Sequence, residues 1–335
     1  MADEKKNNGA EKKAKRKAPV KTKPVKKTIS QEVAEEKENN TRVLNPDKFM
    51  DLFHIFKNAK DIEELKPILY KHLLTIAQRH NLAEEYQILY LYEPNSSIKQ
   101  AMVDRIYNAI PDDNNKPILL VLHNHGGRIE PAFLISKTCK ELSPKFVVTI
   151  PRKAKSAATL IALGGNEIHM GPMSELGPID PQFNGLPALG ISSSLESIAK
   201  IVCKYSESSL MFAEYLKEKL DLNVLGYFER VSESAQQYAT RLLADKKLPQ
   251  EPEQIAHQFV YEYKDHSFVI DKEEAKELLG DTIKINTNEY KFSNDIHRFL
   301  TDVNLMLDIF HSKSLAIVGS ARDFNLSSKN KNEDN

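Results

Sequence analysis

The fold is decided by the stretch PILLVLHNHGG (Pro117 to Gly127) together with the later stretch KFVVTIPRKAKSAATLIALGG (Lys145 to Gly165). Each stretch begins as an apolar, β-branched run, passes through a turn and leads into a helical pattern. Uninterrupted apolar runs of this length are typical of strands that are buried on both faces of a parallel sheet. We therefore predict that Pro117–His123 and Phe146–Ile150 are adjacent parallel strands joined by a right-handed crossover.

The turns that follow these two strands carry the residues that point to a function. Gly126 and Gly127 have no Cβ, so backbone N–H groups at this turn can approach a ligand closely. Ser156 follows the next strand, and the carboxyl ends of neighbouring parallel strands open into the same crevice. Backbone donors beside a hydroxyl group are the minimum arrangement for acyl transfer, with an oxyanion hole and a nucleophile.

The rest of the sequence extends this alternation of strands and helices. A strand is predicted at Tyr86–Glu93, and a short strand followed by a helix is predicted within Phe268–Gly280. The chain divides into five predicted segments: a disordered basic tail over 1–45, a helical pair over 46–85, a core with the candidate site over 86–192, a helical region with a closing strand and helix over 193–326, and a disordered tail over 327–335.

The helical pair over 46–85 is amphipathic and must pack on another surface. Its first helix carries an apolar stripe formed by Phe49, Leu52, Phe53 and Phe56. The pair either docks onto the same domain or forms a subunit contact. Because this pair and the helices after Ser193 present more apolar surface than one α/β layer can cover, we expect a homo-oligomer, trimeric or larger.

Composition favours a helix-rich α/β protein, with 335 residues, 41% hydrophobic content and 12 glycines. The net charge is zero, yet residues 1–27 hold 11 Lys or Arg and 3 Asp or Glu, so this stretch carries +8 and the rest of the chain −8. The basic stretch over 1–27 cannot bury enough apolar surface to offset the entropy that it would lose on ordering, so we predict that it is disordered. Its expected role is solubility or a weak contact with a polyanion, such as nucleic acid or an anionic membrane surface.

Several other classes of protein are disfavoured. The sequence has no apolar run near eighteen residues, which argues against a transmembrane segment, and no apolar secretory signal. Without either feature, we expect a cytoplasmic protein. Cys139 and Cys203 lack CxxC spacing, which favours reduced, buried thiols over a disulfide or a zinc site. His123-Asn124-His125 is expected to place both imidazoles on one strand face, but a third metal ligand is missing. We therefore expect no metal. The sequence also has no Walker or GxGxxG motif, so we expect no cofactor.

Two further motifs carry a resemblance to a known family. The run SAATLIALGGNEI begins at Ser156, and MGPMSELGPIDPQ follows it at Met170–Gln182. These two motifs resemble those of the serine dehydrogenase proteinase family of Clp-class serine proteases, relatives of signal peptide peptidase A. The resemblance implies a Clp protease/crotonase-like α/β fold with extra helices at both ends. It also implies that Ser156 is the nucleophile and that the backbone N–H groups of Gly126, Gly127 and Ala157 form the oxyanion hole.

The proton acceptor for the serine has several candidates. The hydroxyl group needs either a histidine held by a carboxylate or a desolvated lysine. His266 lies in the family-like segment YKDHSFVID, and Asp180 is the preferred residue to orient its imidazole. The alternatives are lysines of the later helices, acting within the subunit or across a subunit boundary, and two nearer histidines: Lys200, Lys204, Lys217, His125 and His169.

The sequence therefore predicts a serine peptidase that works through an acyl-enzyme on Ser156 and cleaves peptides or unfolded protein. We expect the single chain to act without ATP. Two other functions stay open at this stage. One is a non-catalytic scaffold that keeps the fold and assembles as a ring, and the other is an acyl-CoA enzyme of the crotonase branch. Although the family name mentions a dehydrogenase, the sequence carries no pattern for a nicotinamide site.

Overall fold

A central β-sheet organises the computed structural model of the chain, which describes residues 43–180, 182–183, 186–219 and 222–328. Eleven strands occur within these ranges. They are β1 (Gln87–Glu93), β2 (Ile118–Asn124), β3 (Phe146–Thr149), β4 (Lys153–Ala154), β5 (Glu167–Met170), β6 (Glu175–Leu176), β7 (Gln182–Phe183), β8 (Leu186–Pro187), β9 (Ile283–Ile285), β10 (Lys313–Gly319) and β11 (Phe324–Ser328).

Eleven α-helices connect or cover these strands in the described part of the chain. They are α1 (Phe49–Asn58), α2 (Ile62–Arg79), α3 (Gln100–Asn108), α4 (Ile129–Glu141), α5 (Ala157–Leu163), α6 (Ala188–Lys204), α7 (Ser209–Lys219), α8 (Leu222–Leu243), α9 (Pro252–His257), α10 (Lys272–Leu279) and α11 (Asn288–His311). None of the described helices is long and apolar enough to cross a membrane.

Nine of the strands form one sheet in the order β11-β10-β1-β2-β3-β5-β9, with β4 pairing with β2 and β6 pairing with β4. β1, β2, β3, β5 and β9 run parallel, whereas β10 is antiparallel to β1 and β11. β7 and β8 form a separate hairpin. The predicted neighbours are confirmed, because Ile118 pairs with Phe146 and Val121 pairs with Thr149 in a parallel register.

The central strands are buried on both faces, which explains their continuous apolar sequence. In β2, Leu119 and Val121 belong to one core cluster, while Leu120 and Leu122 belong to the other. Helices α1, α2 and α11 contribute to the first cluster, and α3, α4, α5, α8, α9 and α10 contribute to the second. A sheet covered by helices on both faces is the α/β architecture that the sequence predicts.

The N-terminal helical pair packs on the sheet of its own chain, which favours the first of its two predicted roles. Leu52 and Phe56 of α1 are buried in the same core cluster as side chains of α11. Phe49 is 44% exposed, so the expected apolar stripe is only partly covered. α2 begins after Asp61, whose carboxylate accepts a hydrogen bond from the N–H of Glu64 at 3.0 Å.

The C-terminal part of the chain departs from the expected helical region and tail. The long helix α11 is followed by β10 and β11, which add two antiparallel strands beside β1. Ser327 and Ser328 lie in β11, where they pair with Ser314 and Lys313. This edge strand, FNLSS, is held by backbone hydrogen bonds to β10 rather than by its own apolar content, so its sequence pattern is weak. The remaining residues of both predicted tails, 1–42 and 329–335, lie outside the described residues.

Candidate active site

A cavity of about 790 Å³ opens at the carboxyl-terminal edge of β1 and β2. It is bounded by the loop after β1, the turn after β2, the start of α4, the turn before α5 and part of α8. The lining residues are Pro94, Asn95, Ser96, Ser97, His125, Gly126, Gly127, Arg128, Ile129, Glu130, Ser156, Ile179, Tyr227, Val231 and His266. The glycine pair, the serine and the histidine that the sequence singles out therefore share one pocket.

Ser156 occupies the turn before α5 with a strained backbone, at φ 51° and ψ −122°. A positive φ is unfavourable for a residue with a Cβ and persists only where the surrounding structure fixes it. Ser156 stands at the N-cap position of α5, yet its side chain makes no capping hydrogen bond to the helix. Helix capping therefore does not account for this serine, and its side chain lines the cavity.

The glycine pair is required by close contacts with the backbone and with the serine. Gly126 has φ 114°, and a Cβ on it would lie 2.9 Å from the carbonyl oxygen of Lys155 and 3.2 Å from Oγ of Ser156. Gly127 has φ 146°, and a Cβ there would lie 2.2 Å from the backbone nitrogen of Ile98. A side chain at either position would displace the turn or its neighbours.

The hydrogen bonds of the turn show which of the three predicted N–H donors, those of Gly126, Gly127 and Ala157, are free to bind an oxyanion. The N–H of Gly126 donates to Oδ1 of Asn124 at 2.7 Å, so it faces its own chain rather than a substrate. The N–H groups of Gly127 and Ala157 make no hydrogen bond to any residue that the structure describes. The geometry therefore reduces the candidate oxyanion hole to these two donors, and Gly126 serves by leaving room for the serine.

Asn124 was missed by sequence reasoning, although it builds the glycine turn. Its side chain is fully buried, and its Nδ2 donates to the carbonyl oxygens of Glu93 at 2.5 Å and Ser96 at 3.0 Å. Together with the bond to Gly126, these contacts join the loop after β1 to the turn after β2. The signal that could have found it is an Asn followed by glycines, because Asn side chains often hydrogen-bond the backbone two residues ahead.

His266 and Asp180 are brought together from distant parts of the chain. Nδ1 of His266 donates a hydrogen bond to Oδ1 of Asp180. Asp180 is 3% exposed, whereas the side chain of His266 is 27% exposed and lines the cavity with Ser156. With Nδ1 bound to a carboxylate, the Nε2 atom carries the free lone pair of the neutral imidazole. Such a histidine can accept a proton from a hydroxyl group in the same cavity.

The three lysines named as alternative bases lie on the outer helices α6 and α7. The side chain of Lys200 is 80% exposed, with its Nζ 3.9 Å from a carboxylate oxygen of Glu196. Nζ of Lys204 lies 5.2 Å from the ring centroid of Tyr205, and Lys217 is exposed. The cavity lining described above includes none of these lysines.

His123 and His125 do not share a strand face, in contrast to the sequence expectation. β2 ends one residue before His125, which lines the cavity and whose pKa is lowered by burial and by the nearby Lys153. His123 packs instead against Tyr92 and His297, with ring centroids 4.9 Å and 5.0 Å away. Burial lowers the pKa of His123 to about 3.

His169 is buried at 3% exposure in a separate polar cluster. Its Nδ1 lies 2.7 Å from Oγ1 of Thr287 and 3.3 Å from a carboxylate oxygen of Glu289. The hydrogen bond from His169 is the main reason why the pKa of Glu289 falls to about 2. The cluster links β5 to α11 and lies outside the cavity lining. Within the described ranges, no group of three His, Cys, Asp or Glu side chains is arranged to hold a metal ion.

The geometry can be compared with known families. The family model described as ClpP-like SDH-type serine proteinase matches residues 96–294. The matched region is more than half of the chain and contains the cavity residues from Ser96 to His266.

Two uncharacterized proteins of Methanocaldococcus jannaschii are similar in sequence. One is 31% identical over 174 residues, which is 52% of this chain and 55% of that protein. The other is 29% identical over 184 residues, which is 55% of this chain and 56% of that protein. The chain spans about half the length of these curated relatives.

Two solved structures of variants of the 1510-N membrane-bound stomatin-specific protease are also similar. One is 16% identical and has a TM-score of 0.38, with 65% of this chain and 84% of that chain covered. The other, in complex with a substrate peptide, is 17% identical and has a TM-score of 0.39, with 65% and 79% covered. At such low TM-scores the likeness adds nothing to what the family match shows.

Proposed function

Because the chain belongs to the ClpP-like SDH-type serine proteinase family, we propose that it is a serine peptidase that works through an acyl-enzyme on Ser156. The observation that carries this proposal is the strained Ser156, whose hydroxyl makes no helix cap and lies beside the glycine turn. Strain of this kind, at a residue that lines a cavity, is typical of a functional site.

Acylation would begin when His266 takes the proton of the Ser156 hydroxyl through Nε2. The serine oxygen then attacks the carbonyl carbon of the substrate, and the N–H groups of Gly127 and Ala157 hold the negative oxygen of the tetrahedral intermediate. Asp180 holds the imidazole in the correct tautomer and stabilises its protonated form. As the C–N bond breaks, His266 gives its proton to the leaving amine.

Deacylation would use the same residues with water in place of the serine. His266 removes a proton from water, and the resulting oxygen attacks the acyl carbon. The bond to the Ser156 oxygen then breaks and the serine recovers its proton from the imidazole, which releases a carboxylic acid. No further co-reactant is needed, which fits the absence of a Walker or GxGxxG motif from the sequence.

The proposed substrate is a peptide or an unfolded protein segment. The cavity is large enough for several side chains, and its wall mixes the apolar Ile129, Ile179 and Val231 with the charged Arg128 and Glu130. Such a lining suits an extended polypeptide with apolar side chains on one side. We propose that the chain acts without ATP.

A fluorophosphonate probe tests the proposed reaction, because it reacts with activated serine hydroxyls. We expect covalent labelling of the full chain and complete loss of labelling in Ser156→Ala. Ser143→Ala is a matched control, since its hydroxyl donates to the carbonyl oxygen of Cys139 within α4, away from the cavity. A folded wild-type chain that stays unlabelled would support the non-catalytic scaffold instead.

We also propose a homo-oligomer, trimeric or larger. Large apolar side chains on α6, on α7 and between these two helices are 42–71% exposed, and they are Ile201, Tyr205, Leu210, Met211 and Tyr215. A surface of this kind on a monomer often marks an association site. Light scattering should give a mass of at least three chains of 38.1 kDa, and a monomer mass at micromolar concentration would reject the proposal.

Three further proposals concern the basic tail, the cellular location of the protein and its relation to signal peptide peptidase A. We propose that the basic tail over 1–45 contacts polyanions weakly, and the charge of +8 on residues 1–27 supports this proposal. A cytoplasmic location is supported by the free thiols of Cys139 and Cys203. Cys139 is buried as expected, whereas the expected burial of Cys203 is wrong, because this residue is exposed near the end of α6. A relation to signal peptide peptidase A is supported by the motif that begins at Ser156.

A further inference from the structure

Lys155, which directly precedes Ser156, is a charged residue that the proposed mechanism does not use. Lysine is rarely buried unless its ammonium group is paired, yet Lys155 is only 9% exposed. Its Nζ donates to the carbonyl oxygens of Leu176 at 3.2 Å and Phe268 at 2.9 Å, and it lies 3.0 Å from a carboxylate oxygen of Glu175. Three acceptors match the three N–H donors of an ammonium group, so this side chain is a cross-link rather than a base.

The carbonyl group of Phe268 belongs to the turn that carries His266. The N–H of Phe268 donates to the carbonyl oxygen of Asp265 at 3.0 Å, and the N–H of Ser267 donates to Oδ1 of Asp265 at 2.8 Å. His266 is therefore enclosed in a hydrogen-bonded turn whose last carbonyl group is bound by Lys155. This contact fixes the backbone of the turn, while a separate carboxylate holds the imidazole ring.

Gly177 keeps the path of the lysine side chain open. A Cβ on Gly177 would lie 2.5 Å from Cδ of Lys155. The backbone of Gly177 is itself fixed, because its N–H donates to Oγ1 of Thr159 at 3.1 Å and its carbonyl oxygen lies 2.8 Å from the same atom. The aliphatic part of Lys155 therefore passes over a position where only glycine leaves room.

We propose that Lys155 is a positioning residue, which sets the distance between Ser156 and His266 by tying the turn of the nucleophile to the turn of the base. The inference rests on the proposed function. Because Lys155 and Ser156 are adjacent in the backbone, the contact between Lys155 and Phe268 fixes the turn of the base relative to the nucleophile. The two turns are more than a hundred residues apart along the chain, so a direct hydrogen bond is needed to hold them at a fixed distance from each other. A misplacement of about 1 Å between reacting groups lowers a rate about 100-fold.

The first test replaces Lys155 with methionine, which keeps an aliphatic chain and removes the ammonium group. Lys153→Met is the matched control, because Lys153 lies two residues before Lys155, in β4, and its Nζ lies 3.6 Å from a carboxylate oxygen of the same Glu175, but its side chain is 47% exposed. The rate of labelling by a fluorophosphonate probe is measured on the full chain. We expect Lys155→Met to slow labelling about 100-fold and Lys153→Met to leave the rate near that of the wild type.

A comparison in two backgrounds separates positioning from a general effect on the fold. Without the base at position 266, its position no longer matters, so Lys155→Met should have no further effect on the rate in a His266→Ala chain. An equal loss in both backgrounds would overturn the proposal. Gly177→Ala gives an independent variant, since it displaces the lysine side chain without removing its charge, and it should show the same dependence on the background.

Hydrogen–deuterium exchange gives a readout that does not depend on activity. In Lys155→Met, the backbone amides of residues 265–270 should exchange faster, while those of β2 and β3 keep their wild-type rates. If the probe does not label the wild type, the proposed function fails, and the exchange pattern still shows whether Lys155 holds the turn. Unchanged exchange over 265–270, or faster exchange across the whole chain in both Lys155→Met and Gly177→Ala, would overturn the proposal.

Discussion

Gly126 and Ser156 are so close that a Cβ on Gly126 would lie 2.7 Å from the Cβ of Ser156. Real Cβ atoms do not approach other heavy atoms this closely, so one of the two turns would have to move. The φ of 114° at Gly126 adds strain for any residue with a side chain. The glycine is therefore needed by the serine itself, independently of any contact between Gly126 and a substrate.

Gly126→Ala should slow the labelling of Ser156 by a fluorophosphonate probe about 100-fold, because the serine is pushed away from its reactive position. Gly226→Ala is the matched control. Gly226 lies in α8, and apart from its chain neighbours and the backbone of its own helix, no atom of the described residues lies within 4 Å of the position of an added Cβ. That variant should label at the wild-type rate and gain about 1 kcal/mol in helix stability. A Gly126→Ala chain with normal labelling would contradict the geometry of the turn.

Ser156→Gly should raise the free energy of unfolding by about 1 kcal/mol while abolishing labelling, because glycine relieves the positive φ and removes the hydroxyl group. Ser209→Gly is the control. Ser209 has φ −59° and ψ −43° at the start of α7, where glycine should instead lower the free energy of unfolding by about 0.5–1 kcal/mol. Urea denaturation of both variants measures the difference. Loss of stability in Ser156→Gly would show that the serine backbone is not strained.

Asp180→Asn should reduce the rate of acylation by roughly 10³- to 10⁴-fold, since an amide can turn its NH₂ group to His266 and stabilise the unproductive tautomer. The control is Asp265→Asn, in the same turn as the histidine, where an amide oxygen can still accept the hydrogen bond from Ser267.

His266→Ala should remove the rise of the acylation rate with pH that reports deprotonation of the base. If this rise persists in His266→Ala and disappears in Lys200→Ala, Lys204→Ala or Lys217→Ala, a lysine is the base.

His123 and His297 should make the protein less stable as the pH falls. Burial lowers the pKa of His123 to about 3 and that of His297 to about 4, whereas histidines of an unfolded chain titrate near 6.5. Below pH 6.5 the unfolded chain therefore binds more protons than the folded chain. The free energy of unfolding should fall with decreasing pH, by up to about 1.4 kcal/mol per pH unit for each histidine.

Urea denaturation between pH 7.5 and pH 5 measures this effect before the carboxylates take up protons. In His123→Asn, the amide oxygen can still accept the hydrogen bond that Nδ1 of His123 receives from the N–H of Lys153, but the side chain no longer titrates. As the pH falls, the free energy of unfolding should therefore decrease less steeply in the variant than in the wild type. Identical pH dependence in the two proteins would mean that His123 is not held neutral by burial.

The strands and turns of the site could be predicted from the sequence because their signals are local. The apolar runs before Gly126 and Ser156 need burial on both faces, and the glycine pair marks a turn whatever the rest of the chain does. Predicting the pairing of His266 with Asp180 required the family resemblance, because these residues are 86 positions apart and no local pattern connects them.

Asn124 and Lys155 were missed for a different physical reason. Each is a buried polar side chain that binds carbonyl groups of other segments, and the sequence carries no periodicity for such contacts. β11 was missed because an edge strand depends on the backbone of its neighbour more than on its own side chains.

The order of strands in the sheet has a consequence for synthesis on the ribosome. The central strands β1, β2, β3 and β5 are complete once residue 170 has been made, but the strands that cover their two outer edges, β9 and β10, come from residues 283–319. Until those residues leave the ribosome, both edges of an apolar parallel sheet have unpaired backbone groups and can join strands of other nascent chains. Ribosome-bound chains that stop before β9 should therefore recruit holdase chaperones more strongly than chains that extend beyond β10.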